Sequence, residues 1–87
     1  MSGLTMTRAA AEAFLAEPRV AVLSVTEPGR GPLASPLWYR YAPGGDIAFV
    51  TPRSSRKGRL IAPGTRLSLC VQNETRPYKY VSVEGPV

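Results

Sequence analysis

The stretch IAFVTPRSSRK, residues 47–57, is the most informative part of the sequence, because it passes from a strand pattern through a polar turn into a helix start. Ile47 to Thr51 is apolar and partly β-branched, which predicts a strand. Ser54 or Ser55 is a suitable N-cap, so we expect a short helix that begins at Arg56. This segment therefore places several hydroxyl groups and two cations where a strand gives way to a helix.

The sequence on either side predicts four more strands and one more helix. Residues 7–17 are rich in alanine with apolar residues at helical spacing, which predicts a helix capped by Thr7. Runs rich in β-branched, leucine and aromatic residues predict strands at 19–26, 33–41, 67–72 and 78–84. Pro36 interrupts the second run and indicates an edge or a bulge. This order predicts a mainly β (α+β) fold, a small antiparallel barrel or sandwich.

Composition excludes several kinds of chemistry. The 87 residues allow one domain, and they include no histidine, one aspartate and one cysteine. Histidine-based triads and a disulfide within the chain are therefore excluded, and we expect no metal site. No apolar run has the length of a membrane span, and the N-terminus lacks the apolar region of a secretory signal. We therefore expect a cytoplasmic protein without membrane contact, whose chemistry depends on an organic cofactor.

The net charge of +5 is concentrated in one part of the chain. No acidic residue lies between Asp46 and Glu74, whereas this stretch contains five cations, Arg53, Arg56, Lys57, Arg59 and Arg66. Such a concentration favours an anionic partner, and the alternative is a solvated basic surface. A nucleic-acid-binding barrel is a further alternative, with the aromatic strand residues as a stacking platform. Because the positive charges cluster in the segment from Arg53 to Arg66 and not among these aromatics, we expect no nucleic-acid partner.

Five residues have the chemistry to hold a terminal phosphate, and we call them the phosphate cradle: Thr51, Ser54, Ser55, Arg56 and Lys57. Arginine supplies a planar fork for phosphate oxygens, and lysine supplies a point charge. The hydroxyl groups and the free N–H groups of a helix start add further donors. The segment is neither a P-loop nor a dinucleotide fingerprint, because GxxxxGK[ST] and GxGxxG are both absent.

The order and spacing of these motifs resemble the pyridoxamine 5′-phosphate oxidase-like superfamily of flavin-binding split β-barrels. The resemblance covers about residues 10–85. It rests on PLWY at 36–39, Thr51, SRK at 55–57, RLSL at 66–69 and a strand that ends at Gly85. It implies a small antiparallel split β-barrel with a short N-terminal helix and a short helix after the third strand.

The same resemblance bears on domain organisation. It implies one flavin-binding domain over residues 1–87, and homodimers with the cofactor at the interface. Family members usually continue past the equivalent of Gly85 with further strands and a helix. We therefore expect this domain to be incomplete and the chain to be truncated relative to the family.

The resemblance also assigns roles to ten residues. Arg56 and Lys57 would hold the cofactor phosphate with help from Thr51 and Ser55, and Val50 would supply backbone contact. The isoalloxazine and ribityl parts would be lined by Ser35, Pro36, Leu37 and Trp38. Tyr80, with Tyr78 nearby, would reach the cofactor of the other subunit. The oxidase itself has glutamine at the position of Tyr80, and its C-terminal substrate residues have no counterpart here.

The function implied is that of an FMN-dependent oxidoreductase acting on a small organic substrate. One alternative is a coenzyme F(420)-dependent reductase of the same fold. Another is a flavin-binding module without catalytic activity. The lack of histidine is compatible with all three, because the flavin or deazaflavin ring carries the redox chemistry.

Overall fold

The computed structural model describes residues 6–87, and its elements follow the predicted order. They are α1 (Arg8–Ala16), β1 (Val20–Val25), β2 (Leu33–Arg40), β3 (Ala48–Phe49), α2 (Arg56–Leu60), β4 (Arg66–Gln72) and β5 (Tyr80–Pro86). Two elements begin at predicted caps, since the hydroxyl of Thr7 accepts from the amide of Ala10 and the hydroxyl of Ser55 accepts from the amide of Gly58. Local capping chemistry therefore sets where both helices start.

The strands form one antiparallel sheet in the order β3-β2-β1-β4-β5. The sheet curls into a half-barrel, which confirms the expected split-barrel class. Strand β1 lies at its centre, where Leu23 is opposite Ser35 of β2 and Leu69 of β4. Because β1 pairs with both β2 and β4, it joins the strands of the first half of the chain to the strands that follow β3.

The core lies on the inner face of the curled sheet. Side chains alternate along each strand, so one face of β1, β2 and β4 is buried, together with two residues of α1. The buried cluster consists of Phe14, Leu15, Ala21, Leu23, Leu37, Leu69 and Val71. We call the other side the outer face, and it exposes Val20, Val22, Trp38 and Tyr80. Burial on one side only is the pattern expected of an antiparallel sheet.

Two strands differ from the sequence prediction in where they begin or end. Strand β3 contains only Ala48 and Phe49, rather than residues 47–51. Val50 is 94% exposed, because the chain has left the sheet before Pro52, which lacks an amide hydrogen for a ladder bond. Strand β5 begins at Tyr80, so Tyr78 lies in the loop before it. Hydrophobic patterning alone did not locate either of these boundaries.

Among residues 6–87, the part of β2 that contains Pro36 pairs with a neighbouring strand on one side only. Pro36 is opposite Val22 of β1, so the ladder to β1 continues past it. Strand β3 pairs only with Tyr39 and Arg40, at the far end of β2. The order of the sheet makes β2 an interior strand, but at Pro36 it is an edge, as the proline indicates.

Helix α1 is tied to the β2–β3 hairpin by hydrogen bonds. Oε1 of Glu12 accepts from the Tyr41 hydroxyl at 3.0 Å and from the Gly44 amide at 3.0 Å. The Tyr39 hydroxyl donates to the carbonyl oxygen of Leu15 at 2.8 Å. The bond from Tyr41, and then those from Arg8 and Gly44, lower the pKa of the Glu12 carboxyl. A single carboxylate therefore connects the helix to a turn far away in sequence.

Candidate functional site

The phosphate cradle is organised around the hydroxyl of Ser55. This oxygen accepts from the Gly58 amide at 3.0 Å and donates to the carbonyl of Pro52 at 2.7 Å. It also lies 3.2 Å from Oγ1 of Thr51. Of the two serines that the sequence offered as the cap, the structure therefore selects Ser55. Its bonds fold the chain between Thr51 and α2 into a tight loop.

Gly58 is a part of this loop that the sequence analysis missed. A Cβ atom at this position would lie 2.1 Å from the carbonyl oxygen of Pro52 and 3.0 Å from Oγ of Ser55. Only glycine lets the loop backbone approach α2 this closely. A signal was present, because a glycine inside a helix is unfavourable and indicates a packing requirement.

Lys57 joins the cradle to strand β2. Its half-buried side chain donates from Nζ to Oγ of Ser35 at 3.0 Å, although the two residues are 22 positions apart. Both residues belong to the predicted cofactor site, one for the phosphate and one for the ring and ribityl part. An ammonium group has three N–H donors, so Lys57 retains two for a ligand anion.

Arg56 is held by a carboxylate that the sequence analysis did not connect with the site. Its Nε lies 3.0 Å from each carboxylate oxygen of Glu27, and Nη2 also donates to Oε1. Glu27 lies in the loop between β1 and β2, 29 positions earlier. The hydrogen bonds lower the pKa of the Glu27 carboxyl and raise the pKa of the Arg56 guanidinium. No local pattern in the sequence indicates this pair.

The basic stretch is therefore less positive than its composition indicates. Arg56 is paired with Glu27, and Arg66 lies 3.5 Å from Glu84 across β4 and β5. Lys57 is bonded to a neutral hydroxyl. The formal charges of Arg56, Lys57 and Glu27 sum to +1. This sum matters for the kind of anion that the site accepts.

The residues predicted to line the ring divide between the two faces of β2. Ser35 and Leu37 point inward, and Leu37 is buried in the core, so only its backbone is available to a ligand. Pro36 and Trp38 point outward, and Trp38 is 67% exposed. A bound ring can therefore lie beside Ser35, near the cradle, or beside Trp38 on the outer face. Strand β2 separates these two positions.

Tyr80 does not approach the phosphate cradle or Trp38 of its own chain. It lies on β5, and β1 and β4 separate that strand from β2. Three strand spacings amount to about 14 Å. Tyr80 is 68% exposed on the outer face, beside Gln72 of β4. The structure thus brings Ser35, Thr51, Ser55 and Lys57 together and leaves Tyr80 apart.

An open groove of about 940 Å³ runs along the inner side of the half-barrel, between α1, β3, β4 and β5. Its walls are mostly apolar and include Leu15, Phe49, Ile61, Leu67, Val81 and Val83. Polar groups occur at its rim, where Glu12 and Thr51 lie. A flavin ring has several hydrogen-bonding edges, and such walls offer them few partners. The groove is therefore a poorer candidate for the ring than the positions next to β2, beside Ser35 on one face or beside Trp38 on the other.

Two further properties concern only residues 6–87. Within that range no group of three or more histidine, cysteine, aspartate or glutamate side chains is placed to hold a metal ion. No helix of the described residues combines the length and the apolar character needed to cross a membrane.

Fold and site together define a class of protein. The curled antiparallel sheet carries, after its third strand, a serine-capped helix start with adjacent arginine and lysine, and it defines a small antiparallel split β-barrel domain. A family model described as pyridoxamine 5′-phosphate oxidase matches residues 7–87, and the chain therefore belongs to the pyridoxamine 5′-phosphate oxidase-like family. That family is built on a flavin-binding oxidoreductase fold. Comparisons with curated proteins and with solved structures gave no significant match.

Proposed function

We propose that the protein binds FMN and acts as a flavin-dependent oxidoreductase on a small organic substrate. One observation carries the proposal. Nζ of Lys57 lies 3.0 Å from Oγ of Ser35, so a residue suited to the phosphate meets a residue suited to the ribityl chain. These residues come from α2 and β2, and nothing in the hydrophobic core requires them to meet.

The cradle has the donors that a terminal phosphate requires. Lys57 has two N–H groups to spare and Arg56 has its Nη1 group, whereas the adjacent Thr51 hydroxyl donates to Ser55, whose own hydrogen goes to Pro52. Gly58 keeps the loop close to α2 with no side chain in between. Charge-assisted hydrogen bonds of this kind are stronger than neutral ones. When bound, FMN supplies the hydride or electron transfer, and the residues of this chain bind and orient it.

We further propose that two copies of the chain complete the site. Trp38 and Tyr80 are both exposed on the outer face, but three strand spacings separate them in one chain. If two outer faces pack about a twofold axis that is parallel to the strands and passes between β1 and β4, β5 of the partner lies opposite β2. The partner's Tyr80 then lies opposite Trp38, and the two aromatic side chains can enclose a flat ring that neither chain encloses alone.

The competing functions differ in what the purified protein contains and does. FMN and coenzyme F(420) are distinguished by the absorption spectrum of the purified protein and by the mass of the released chromophore. A flavin-binding module without catalytic activity would contain the cofactor but would not oxidise a nicotinamide reductant. A cytoplasmic location and a single flavin-binding domain over residues 1–87 remain parts of the proposal.

The experiment that tests the cradle is the double substitution Arg56→Ala/Lys57→Ala. FMN and riboflavin share the ring and the ribityl chain, and only FMN carries the phosphate. Since a hydrogen bond to a charged group contributes about 1.5–3 kcal/mol, we expect FMN affinity to fall on the order of 100-fold. Riboflavin affinity should not change. Quenching of flavin fluorescence measures both.

The matched control is Arg53→Ala/Arg59→Ala. It removes the same formal charge from two exposed arginines of the same segment. FMN affinity should fall far less in the control, because only long-range attraction is lost. Equal loss of FMN in both double variants, or equal affinity of the unmodified protein for FMN and riboflavin, would contradict the assignment.

A further inference from the structure

The carboxylate of Glu27 is the unexpected component of the site. Its side chain is only 15% exposed, and it faces Arg56 with both oxygens. This arrangement is the same fork-to-carboxylate geometry in which a guanidinium binds a phosphate. Glu27 thus occupies the Nε and Nη2 edge of Arg56, which would otherwise be available to a ligand.

The charge on Glu27 is secure at neutral pH. Arg56 is its nearest partner, and Arg30 and Arg59 add attraction at longer range, so the pKa of this carboxyl is lowered. The carboxylate is therefore ionised at the neutral pH at which a phosphate ligand would bind. Repulsion between this charge and a bound anion scales with the charge of the anion. A doubly charged phosphate monoester is penalised about twice as much as a singly charged diester.

We propose that Glu27 is a specificity-determining residue that acts through Arg56: it is an internal counter-anion that weakens the binding of doubly charged phosphates more than that of singly charged ones. The inference rests on the proposed function of the cradle. It differs from the view that Glu27 simply orients Arg56, because orientation would strengthen the binding of both kinds of anion. The two views predict opposite signs when Glu27 is removed.

The test uses Glu27→Gln and two small probes at pH 8. Methyl phosphate is then a dianion, because its second pKa is about 6, whereas dimethyl phosphate is a monoanion. Glutamine keeps an oxygen acceptor for Arg56 but removes the charge. We expect methyl phosphate to bind about three- to tenfold more tightly and dimethyl phosphate about two- to threefold more tightly. Chemical-shift titration of the Gly58 amide measures both.

Controls separate charge from structure. Glu27→Ala removes the acceptor as well, and it should also tighten methyl phosphate binding. Glu17→Gln breaks an exposed ion pair with Arg19 and makes the same change in net charge, and it should leave both affinities unchanged. High salt should reduce the difference between the unmodified protein and the Glu27→Gln variant.

Outcomes for the inference and for the proposed function are distinct. Weaker or unchanged methyl phosphate binding in Glu27→Gln, or an equal response of the two probes, overturns the role of Glu27. Loss of binding in Glu27→Ala alone shows an orienting role and also overturns it. Failure of the unmodified protein to prefer FMN over riboflavin contradicts the proposed function, while the small probes still report on Glu27.

Discussion

At the scale of the residue, the site depends on one close approach between main-chain atoms. The carbonyl of Pro52 faces the Cα of Gly58, and the Ser55 hydroxyl bridges the loop and the helix. Lys57 is next to Gly58 in sequence, so any shift of the helix backbone there moves its ammonium group away from Ser35. Local packing and ligand contact are therefore coupled at this point.

We expect Gly58→Ala to destabilise the protein and to weaken FMN binding. The new methyl group would lie 2.1 Å from the Pro52 carbonyl, so the loop must move, and overpacking of this kind costs about 1–3 kcal/mol. Chemical denaturation measures the loss. Gly31→Ala is the control, because a Cβ there meets nothing within 4 Å. Equal stability of the two variants would show that the loop adapts freely.

Individual residues of the site differ in whether they could be predicted from the sequence. Ser55, Arg56 and Lys57 were identified because caps and charged pairs act between near neighbours in the chain. Glu27 was not identified, because its contact with Arg56 depends on where the fold places the β1–β2 loop. A contact across 29 residues follows from the path of the sheet and has no local pattern.

At the scale of the element, helix α1 is attached to the sheet through polar contacts as well as through its buried side chains. Phe14 and Leu15 supply the apolar part. Glu12 supplies the polar part, through Tyr41 and Gly44 of the β2–β3 hairpin. The polar attachment depends on ionisation of Glu12, since an ionised carboxylate is the stronger acceptor.

The pH dependence of stability should therefore change in Glu12→Gln. The folded-state pKa of Glu12 lies below its ordinary value, so the ionised form stabilises the folded state above the ordinary pKa near 4.5. This contribution is lost as pH falls through the folded-state pKa. We expect the variant to melt at a lower temperature than the unmodified protein at pH 7, with a difference that shrinks towards pH 3.

Thermal melts followed by circular dichroism across that pH range measure this difference. The exposed loop residue Glu74 provides the control, and Glu74→Gln should melt as the unmodified protein does at every pH. A constant difference between Glu12→Gln and the unmodified protein from pH 7 to pH 3 would show that the charge on Glu12 has no part in the attachment.

The elements themselves were largely predictable, whereas their arrangement was not. Helix starts at Thr7 and Ser55 follow from capping, and the strands follow from β-branched runs. Strand β3 is shorter than its apolar run because Pro52 and the bonds of Ser55 draw Val50 and Thr51 into the loop. The strand order depends on which neighbours pair across the sheet, and a single sequence carries little information on that.

At the scale of the whole molecule, the outer face is the surface that most needs a partner. It exposes Val20 and Val22 on β1, Trp38 on β2 and Tyr80 on β5, while the other face of the same sheet is the core. Several large apolar side chains exposed on one face of a sheet are typical of an interface. A small domain also gains much of its stability from such burial.

We expect the protein to be a dimer that Val22→Lys dissociates. Val22 lies on the central strand, so the substitution places a charge in the middle of the proposed interface. Ala13→Lys adds the same charge to an exposed position of α1 and should remain dimeric. Sedimentation velocity measures both variants. A Val22→Lys variant that sediments as the unmodified protein does would exclude this face.

Trp38 offers a second readout of the same interface, because it is the single tryptophan of the chain. In one copy it is largely exposed, which gives red-shifted emission, and burial against a partner shifts the emission to the blue. The unmodified protein should show this shift as its concentration rises. Emission that does not vary between dilute and concentrated samples would contradict burial of Trp38 in the dimer.

The missing amide hydrogen of Pro36 has a consequence for solubility. Strand β2 is long and rich in apolar residues. Among residues 6–87, the edge of β2 that faces away from β1 is paired only at Tyr39 and Arg40. An unpaired strand edge is a template to which strands of other molecules can add, and this addition can start aggregation. A strand that approaches Pro36 lacks one ladder bond there, and the pyrrolidine ring obstructs it. The proline thus opposes the addition of a foreign strand along this part of β2.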